Sequence, residues 1–362
     1  MEYKRCCRCI MDTTAPIRFN DDGVCGYCQN YESNEARITA QGKYTSDKLT
    51  SCIADIKRNT SHAGYNCILG VSGGVDSSYI CYLFKQWGIR PLLVHLNNHW
   101  NAQTGEHNIQ ALLDYTGFDL FNYTVDWEEF REMQKAYFKA SVVDVEVLTD
   151  HALMALLYQK ATELGIKTIV TGMNRATEFI IPRGWNYTKW DVDNIRDICS
   201  RYSSVTIKSF PTYDILKARG SFVAFDPLQY VPYHQKQAIE IMEKEFGWQK
   251  YTGKHYESVF TKFYQAYYLP TKFGIDKRLV HLSNLIWSGQ ITRQDALQEI
   301  KKPLYQAGEL EAEKEYVLDK LGFSNQQWEE IMVMPPVPHT FFAHADAELY
   351  EKVRLAAASY YM

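Results

Sequence analysis

The spacing of apolar positions changes period several times along this chain. Residues 65–71 form a continuous apolar run, the pattern of a strand buried on both faces, and 78–84 switch to helical spacing. Further runs at 90–96, 120–125 and 167–172 predict strands. Helices are predicted between them over 105–115 and 127–140, with another starting at His151 and stopping at Gly165. Asp126 and Asp150 stand where they can N-cap the last two. Strands alternating with helices predict an α/β fold, a parallel sheet wound on both faces. Ligands of such sheets sit beyond the carboxyl ends of the strands. That places the turn at Ser72, residues 95–101, Asp150-His151 and residues 172–178 around one crevice.

The rest of the chain divides around this core. Residues 1–31 are a small cysteine-bearing module, 32–230 hold the α/β domain, and 231–362 read as a helical region. The polar stretch 32–62 contains one predicted helix near 49–58. Between 179 and 225 the pattern loosens, punctuated by Arg183, Lys189, Arg196, Arg201, Lys208 and Lys217. This stretch reads as a substrate-covering insertion or as solvated surface. Beyond 233, Thr292 with Asp295 and Ser324 with Gln327 are spaced as capping boxes. Trp287-Ser288-Gly289 and Pro335-Pro336 mark helix ends.

Composition narrows the class. A chain of 362 residues that is 46% hydrophobic can bury one or two large cores. A net charge of −4 without a block of lysine or arginine disfavours nucleic acid as a partner. No apolar run approaches a membrane span, and the N-terminus leads into cysteines instead of an apolar signal segment. A cytoplasmic protein without a membrane partner is expected. Its nine cysteines then read as thiols or metal ligands.

Two motifs carry the chemistry. Ser72-Gly73-Gly74-Val75-Asp76-Ser77 lies between a predicted strand and a predicted helix. Such a turn gathers free backbone amides and a helix N-terminus at one spot, which suits a phosphate. Ser72, Ser77 and Ser78 add hydroxyls, and Asp76 can help hold Mg²⁺. No lysine is placed as in G-x-x-x-x-G-K-[ST]. Ser-Gly-Gly-x-Asp-Ser resembles the pyrophosphate-binding loop of the PP-loop ATP pyrophosphatases, which cleave ATP between its α and β phosphates. The second motif pairs Cys6-x-x-Cys9 with Cys25-x-x-Cys28, fifteen residues apart, the spacing of a structural Zn²⁺ site. An iron–sulfur cluster fits four thiolates too, and Cys7 competes with Cys6 as a ligand.

Both motifs together narrow the resemblance. The stretches 6–14 and 23–28, Val94 to Asn101, Asp150-His151-Ala152, Gly172 to Glu178, and 281–293 are similar to the N-acetyl sugar amidotransferases of bacterial surface-glycan synthesis. The likeness spans roughly Cys6 to Arg293. Where the family pattern reads Asp-Asn-Gly-Trp, this chain has Asn97-Asn98-His99-Trp100, which removes a carboxylate.

The resemblance implies a reaction. An acetamido group on a pseudaminic, legionaminic or nucleotide-linked diacetamido uronic acid becomes an acetamidino group. The amide oxygen takes AMP from ATP, pyrophosphate leaves, and ammonia then displaces AMP. ATP and its metal fall to Ser72, Gly73, Gly74, Asp76, Ser77 and Ser78, with Gly172 and Asn174 meeting the nucleotide. Besides Asp76, Asp150, His151 and Glu178 are the candidates for catalysis. Asp150 is equally a helix cap, His151 equally a packed residue, and Glu178 equally an ion-pair partner of Arg175. His95, Asn98, Trp100 and Arg175 are the sugar candidates, Trp100 being equally a core residue. No cysteine stands in a glutaminase-like context, so ammonia is expected from solution or a separate glutaminase and channel subunit. A PP-loop tRNA-thiolating enzyme and a non-catalytic nucleotide-binding scaffold are the competing readings.

Overall fold

Five short strands carry the molecule: β1 (Cys67–Gly70), β2 (Pro91–Asn97), β3 (Asp119–Thr124), β4 (Thr168–Val170) and β5 (Val223–Phe225). The structure is a computed structural model and describes residues 2–251 and 256–345; the helical reading beyond 345 and the side chain of Lys217 lie outside the described residues. All strand pairings are parallel, in the order β3-β2-β1-β4-β5. The chain runs outward from β1 to β3 and then returns to place β4 on the other side of β1. The crevice outside the carboxyl ends of β1 and β4 is therefore the topological switch point, where such sheets bind ligands.

Side-chain alternation explains why the sheet needs two helical layers. Ile68, Leu92, Val94 and Leu96 join one core, and Cys67, Leu69 and Leu93 join another. The first core is completed by α5 (Trp127–Lys139) and α6 (Val147–Leu164). The second is completed by α2 (Ser46–Arg58), α3 (Val75–Trp87) and α9 (Gln235–Phe246). α4 (Gln103–Thr116) links β2 to β3 and packs on α3.

Local signals set most boundaries. The Asp126 carboxylate accepts from Glu129 N and caps α5, and Gly165 closes α6 in the left-handed conformation. Asp150 does not cap α6. The helix begins a turn earlier, because Val147 and Leu148 extend its buried face, and Asp150 falls in its first turn. The loose region contains α7 (Val192–Tyr202), a short α8 (Ile215–Ala218) and β5, a strand too short to show a period in sequence. Glu129 on α5 anchors this region by accepting from the amides of Lys208 at 2.6 Å and Ser209 at 2.9 Å.

The N-terminal module runs into α1 (Gly26–Ala40). The C-terminal part is helical. It comprises α10 (Val259–Phe263), which continues as a wider π-helical stretch over Tyr264–Phe273, then α11 (Arg278–Trp287), α12 (Arg293–Glu299), α13 (Glu309–Leu321) and α14 (Asn325–Val333). Both expected capping boxes form, at Thr292 and Ser324.

His339 ties this end to α7. Its Nδ1 pairs with Asn194 Oδ1 at 2.9 Å, its ring stacks on Tyr187 at 4.2 Å, and burial holds its pKa down to about 4. The unfolded imidazole protonates near 6.5. The unfolded chain therefore binds the extra proton between those values. Stability is full above about pH 6.5, falls as the pH drops through the window, and levels off below it, a loss on the order of 3 kcal/mol. Burial shifts His95 and His151 in the same direction. Thermal melts from pH 7.5 to 4.5 should show this decline, and His339→Gln should reduce it. An unchanged midpoint across that range would contradict the assignment.

Candidate active site

The loop after β1 is shaped by two glycines with different duties. Gly73 has φ +79, and a Cβ there would overlap the carbonyl oxygen of Gly105 at the start of α4. Only glycine fits. The Gly73 carbonyl is tied back by Trp248 Nε1 and Asn108 Nδ2, each at 3.2 Å. Gly74 then takes the N-cap position of α3, extended and without a side-chain cap. A helix start of this kind leaves its first amides for an anion.

Other residues meet those amides from above. Gly74 N donates to Ser72 Oγ at 3.3 Å, and Ser72 Oγ donates to Glu257 Oε1 at 3.3 Å. Val75 N donates to Tyr251 Oη at 3.1 Å. A phosphate seated here has to replace the Tyr251 hydroxyl and the Glu257 carboxylate. Asp76 accepts from the Tyr233 hydroxyl, whose pKa is pushed up by burial and further by Asp76 and Glu178. Glu178 is thus within electrostatic reach of the Asp76 side. A Cβ on Gly172 would stand 3.4 Å from Asp76 Cβ, so the loops after β1 and β4 meet. Ser77 Oγ turns to Gly74 O at 3.5 Å. Ser78 is fully buried, its hydroxyl without a partner among the described residues, so it lies behind the loop.

Several sugar and catalytic candidates are held by contacts within the fold. His95 is buried, with Nδ1 on Val71 O at 2.8 Å and Nε2 on Asn101 Nδ2 at 3.0 Å. These bonds fix it as a neutral support for the end of β1. Asn98 donates to Thr149 Oγ1 at 3.1 Å and accepts from Trp100 N. Trp100 is 1% exposed and donates to Gln134, which makes it core. Arg175 pairs with Glu35 at 2.8 Å and donates to Gln229. His151 is fully buried, bonded to Lys189 O at 2.9 Å, and burial lowers its pKa. Asn174 folds its own turn, accepting from Thr177 N at 2.8 Å.

His99 occupies the position that the family pattern gives to glycine, and its φ is +66. The turn demands the left-handed conformation, which costs a non-glycine residue about 1–2 kcal/mol. Asn97 offsets this by accepting from His99 N at 2.9 Å, and His99 Nε2 pairs with Val125 O at 2.9 Å. A cavity of about 270 Å³ opens beside this turn, lined by Asn97, His99, Asn101, Glu106, Trp127 and Lys320.

Sequence reasoning missed a charged cluster at the start of α6. Because α6 feeds the parallel strand β4, its first turn lies at the carboxyl edge of the sheet. Lys189 Nζ lies 2.7 Å from Asp144 and 3.1 Å from Asp150. Burial works against the Lys189 ammonium, but these carboxylates raise its pKa. Glu146 accepts from Thr261 Oγ1. Burial, then repulsion from Asp150, pushes the Glu146 carboxyl up to about 7. Lys277 faces the same group, and its pKa is lowered by burial. Glu146 and Lys277 are 131 positions apart, and no local pattern could have joined them.

The cysteine module fits a tetrahedral metal. The sulfurs of Cys6, Cys9, Cys25 and Cys28 all lie within 4.8 Å of one another and are buried. The Cys6–Cys28, Cys9–Cys25 and Cys25–Cys28 distances are 3.7, 3.6 and 3.6 Å. Thiolates at 2.3 Å from Zn²⁺ would stand about 3.8 Å apart. Backbone amides of Arg8, Met11 and Cys25, and Trp287 Nε1 at 3.1 Å, point at these sulfurs and stabilise thiolates. Cys7 is exposed beside Asp22 O, outside the set. The module docks through Arg293, which donates to the carbonyls of Cys9 at 3.0 Å and Cys6 at 2.9 Å.

Among the described residues no helix is long and apolar enough to cross a membrane. Comparison with known proteins adds three findings. Residues 257–354 match the family described as "LPS biosynthesis protein WbpG-like, C-terminal domain". The tRNA-specific 2-thiouridylase MnmA of Cupriavidus necator is 25% identical over 183 residues, which cover 45% of this chain and 50% of that protein. The chain thus spans about half the length of this curated relative. Among solved structures, an NH3-dependent NAD synthetase from Campylobacter jejuni gives a TM-score of 0.29 at 17% identity, covering 36% of this chain and 56% of that one. NMN synthetase from Francisella tularensis gives 0.33 at 13% identity, covering 81% and 96%. Both scores are low. The C-terminal region is therefore similar to a lipopolysaccharide-biosynthesis domain, and it is joined to a parallel α/β sheet and a four-cysteine cluster.

Proposed function

We propose that this chain is a PP-loop enzyme of bacterial surface-glycan synthesis, an N-acetyl sugar amidotransferase acting in the cytoplasm. The observation that carries the reading is the Gly73–Asp76 turn, whose left-handed Gly73 admits no Cβ and which is set at the switch point of the sheet. The lipopolysaccharide-biosynthesis match over 257–354 supports a sugar as the second substrate. That matched region also supplies Glu257, which reaches the turn at Ser72.

The chemistry follows from the charges involved. The amide oxygen of an acetamido group attacks the α-phosphorus of ATP, pyrophosphate leaves, and an O-adenylated imidate forms. Negative charge grows on both phosphates, and the amides at the start of α3 face it. Asp76, with Glu178 near it, would hold the Mg²⁺ that neutralises the departing pyrophosphate. Ammonia then displaces AMP. Cys67 and Cys81 are fully buried, with thiols raised by burial, and burial takes Cys199 up to about 12. These thiols are poor nucleophiles, which supports a separate glutaminase as the ammonia source.

Mass spectrometry of the purified chain with ATP, Mg²⁺, ammonia and a panel of acetamido sugars tests this. The expected product is about one mass unit lighter than its sugar and appears with AMP and pyrophosphate. ADP formation, or no turnover with any acetamido sugar, would overturn the reading. The relation to MnmA favours tRNA thiolation as a second reading. Salt-sensitive tRNA binding together with sulfur transfer would establish it.

A further inference from the structure

We propose that Glu146 accepts the proton released when ammonia adds to the adenylated substrate, an inference that rests on the amidotransferase reading. The geometry comes from one short segment that touches both centres. Glu257 reaches Ser72 in the nucleotide turn, and Thr261, four positions on, holds Glu146. Ser258 caps α10 between them, so one short run of chain carries both contacts. The segment is fixed against the sheet edge. Val259 N donates to Trp100 O at 2.9 Å, and Glu257 O accepts from Ala102 N at 2.8 Å. On the other side, Asn98 at the end of β2 holds Thr149 in the same α6 turn as Glu146.

The surroundings suit a base that becomes charged as the pH rises through neutrality. Asp144 and Asp150 flank Glu146 on its own strand of chain. Lys189 comes from the loop before α7, Thr261 and Tyr264 from the α10 segment, and Lys277 from the loop before α11. Lys189 is bound to Asp144 and Asp150. Glu146 accepts from the Thr261 hydroxyl and is half-buried. Burial and Asp150 bring its carboxyl to about 7, where a general base works best at neutral pH.

The step balances. Ammonia's lone pair forms the C–N bond to the protonated O-adenyl imidate, giving a tetrahedral carbon that bears –NH3⁺. One proton passes from that nitrogen to the Glu146 carboxylate. The C–O bond breaks, AMP leaves with the electron pair as a dianion, and the amidinium remains.

Two half-reactions separate this role from the rest. Pyrophosphate exchange into ATP, with pseudaminic acid or a nucleotide-linked diacetamido uronic acid and no ammonia, reads adenylation alone. Amidine formation from ammonium salts, expressed per free NH3, reads the second step. Glu146→Gln should keep exchange within about threefold and lose about 100-fold in amidine formation. The wild-type rise in rate through about pH 7 should vanish with it. Thr261→Val, which leaves the carboxylate in place, should shift that limb and lower the rate less. If Glu146→Gln does not fold by thermal melt, the Thr261→Val pH profile decides: an unmoved limb overturns the proposal. Wild-type amidine rates in folded Glu146→Gln also overturn it. No exchange in the wild-type enzyme with either sugar would remove the amidotransferase reading itself, and the proposal with it.

Discussion

Gly73→Ala should reduce ATP–pyrophosphate exchange by at least 100-fold, while Gly74→Ala should lose less than tenfold. At Gly73 the backbone is left-handed, and the added methyl meets the main chain of Gly105, which α4 holds in place. Strain of about 1–2 kcal/mol from the dihedral adds to about 1–3 kcal/mol from overpacking. The loop can escape only by moving its amides, and a single misplaced oxyanion-type donor costs about 100- to 1,000-fold. At Gly74 the dihedrals are ordinary, and the nearest atoms are the Ser72 hydroxyl at 3.1 Å and the Glu257 carboxylate at 3.3 Å, side-chain ends that can turn aside. ATP titration calorimetry and exchange kinetics on both variants check the contrast. Near-normal exchange in Gly73→Ala would show that the turn does not bind the pyrophosphate.

Cys9→Ser or Cys28→Ser should strip the bound metal, expected as one zinc per chain, and loosen the N-terminal module. Structural Zn²⁺ contributes about 10–16 kcal/mol of apparent binding energy at neutral pH. Met11 and Ile10 are buried in a segment with no regular element of its own, which the ion would hold together with the Arg293 dock. Even 3 kcal/mol passed on to the whole chain would lower the melting temperature by roughly 5–10 °C. Cys7→Ser should change neither metal content nor stability, because its sulfur lies outside the set. Elemental analysis with thermal melts before and after chelation reads all three variants. Full zinc content in Cys9→Ser would refute the ligand assignment.

The sequence reading reached the frame because its signals are local. The run at 65–71, the glycine turn and the apolar spacing after it sit within twenty positions, and each had one structural outcome. The cysteine pairs were legible for the same reason: the metal's spacing rule is written in the primary chain. Residue roles were less legible. Motif neighbours such as His95, Asn98, Trp100 and His151 are tied into buried contacts, and adjacency to a crevice does not reveal which way a side chain is buried. Arg175 found Glu35, a partner 140 positions away. Glu146 sits beside the predicted Asp150, yet the burial that raises its carboxyl is not visible in the local sequence, and its hydrogen-bond partner Thr261 is 115 positions away. β5 was missed because three residues, two of them exposed, carry no alternation to read. At Asn97 the sequence showed the loss of a carboxylate, and the structure shows Asn97 accepting from the amide of His99 in a left-handed turn.

The clamp of Arg293 on the carbonyls of Cys6 and Cys9 joins positions separated by 287 and 284 residues. During translation the first knuckle emerges from the ribosome long before its dock exists. At about 5–20 residues per second, the wait is roughly 15–60 s. Throughout that interval the cysteine segment lacks its dock, so an ion taken up then has to be held by the two knuckles alone.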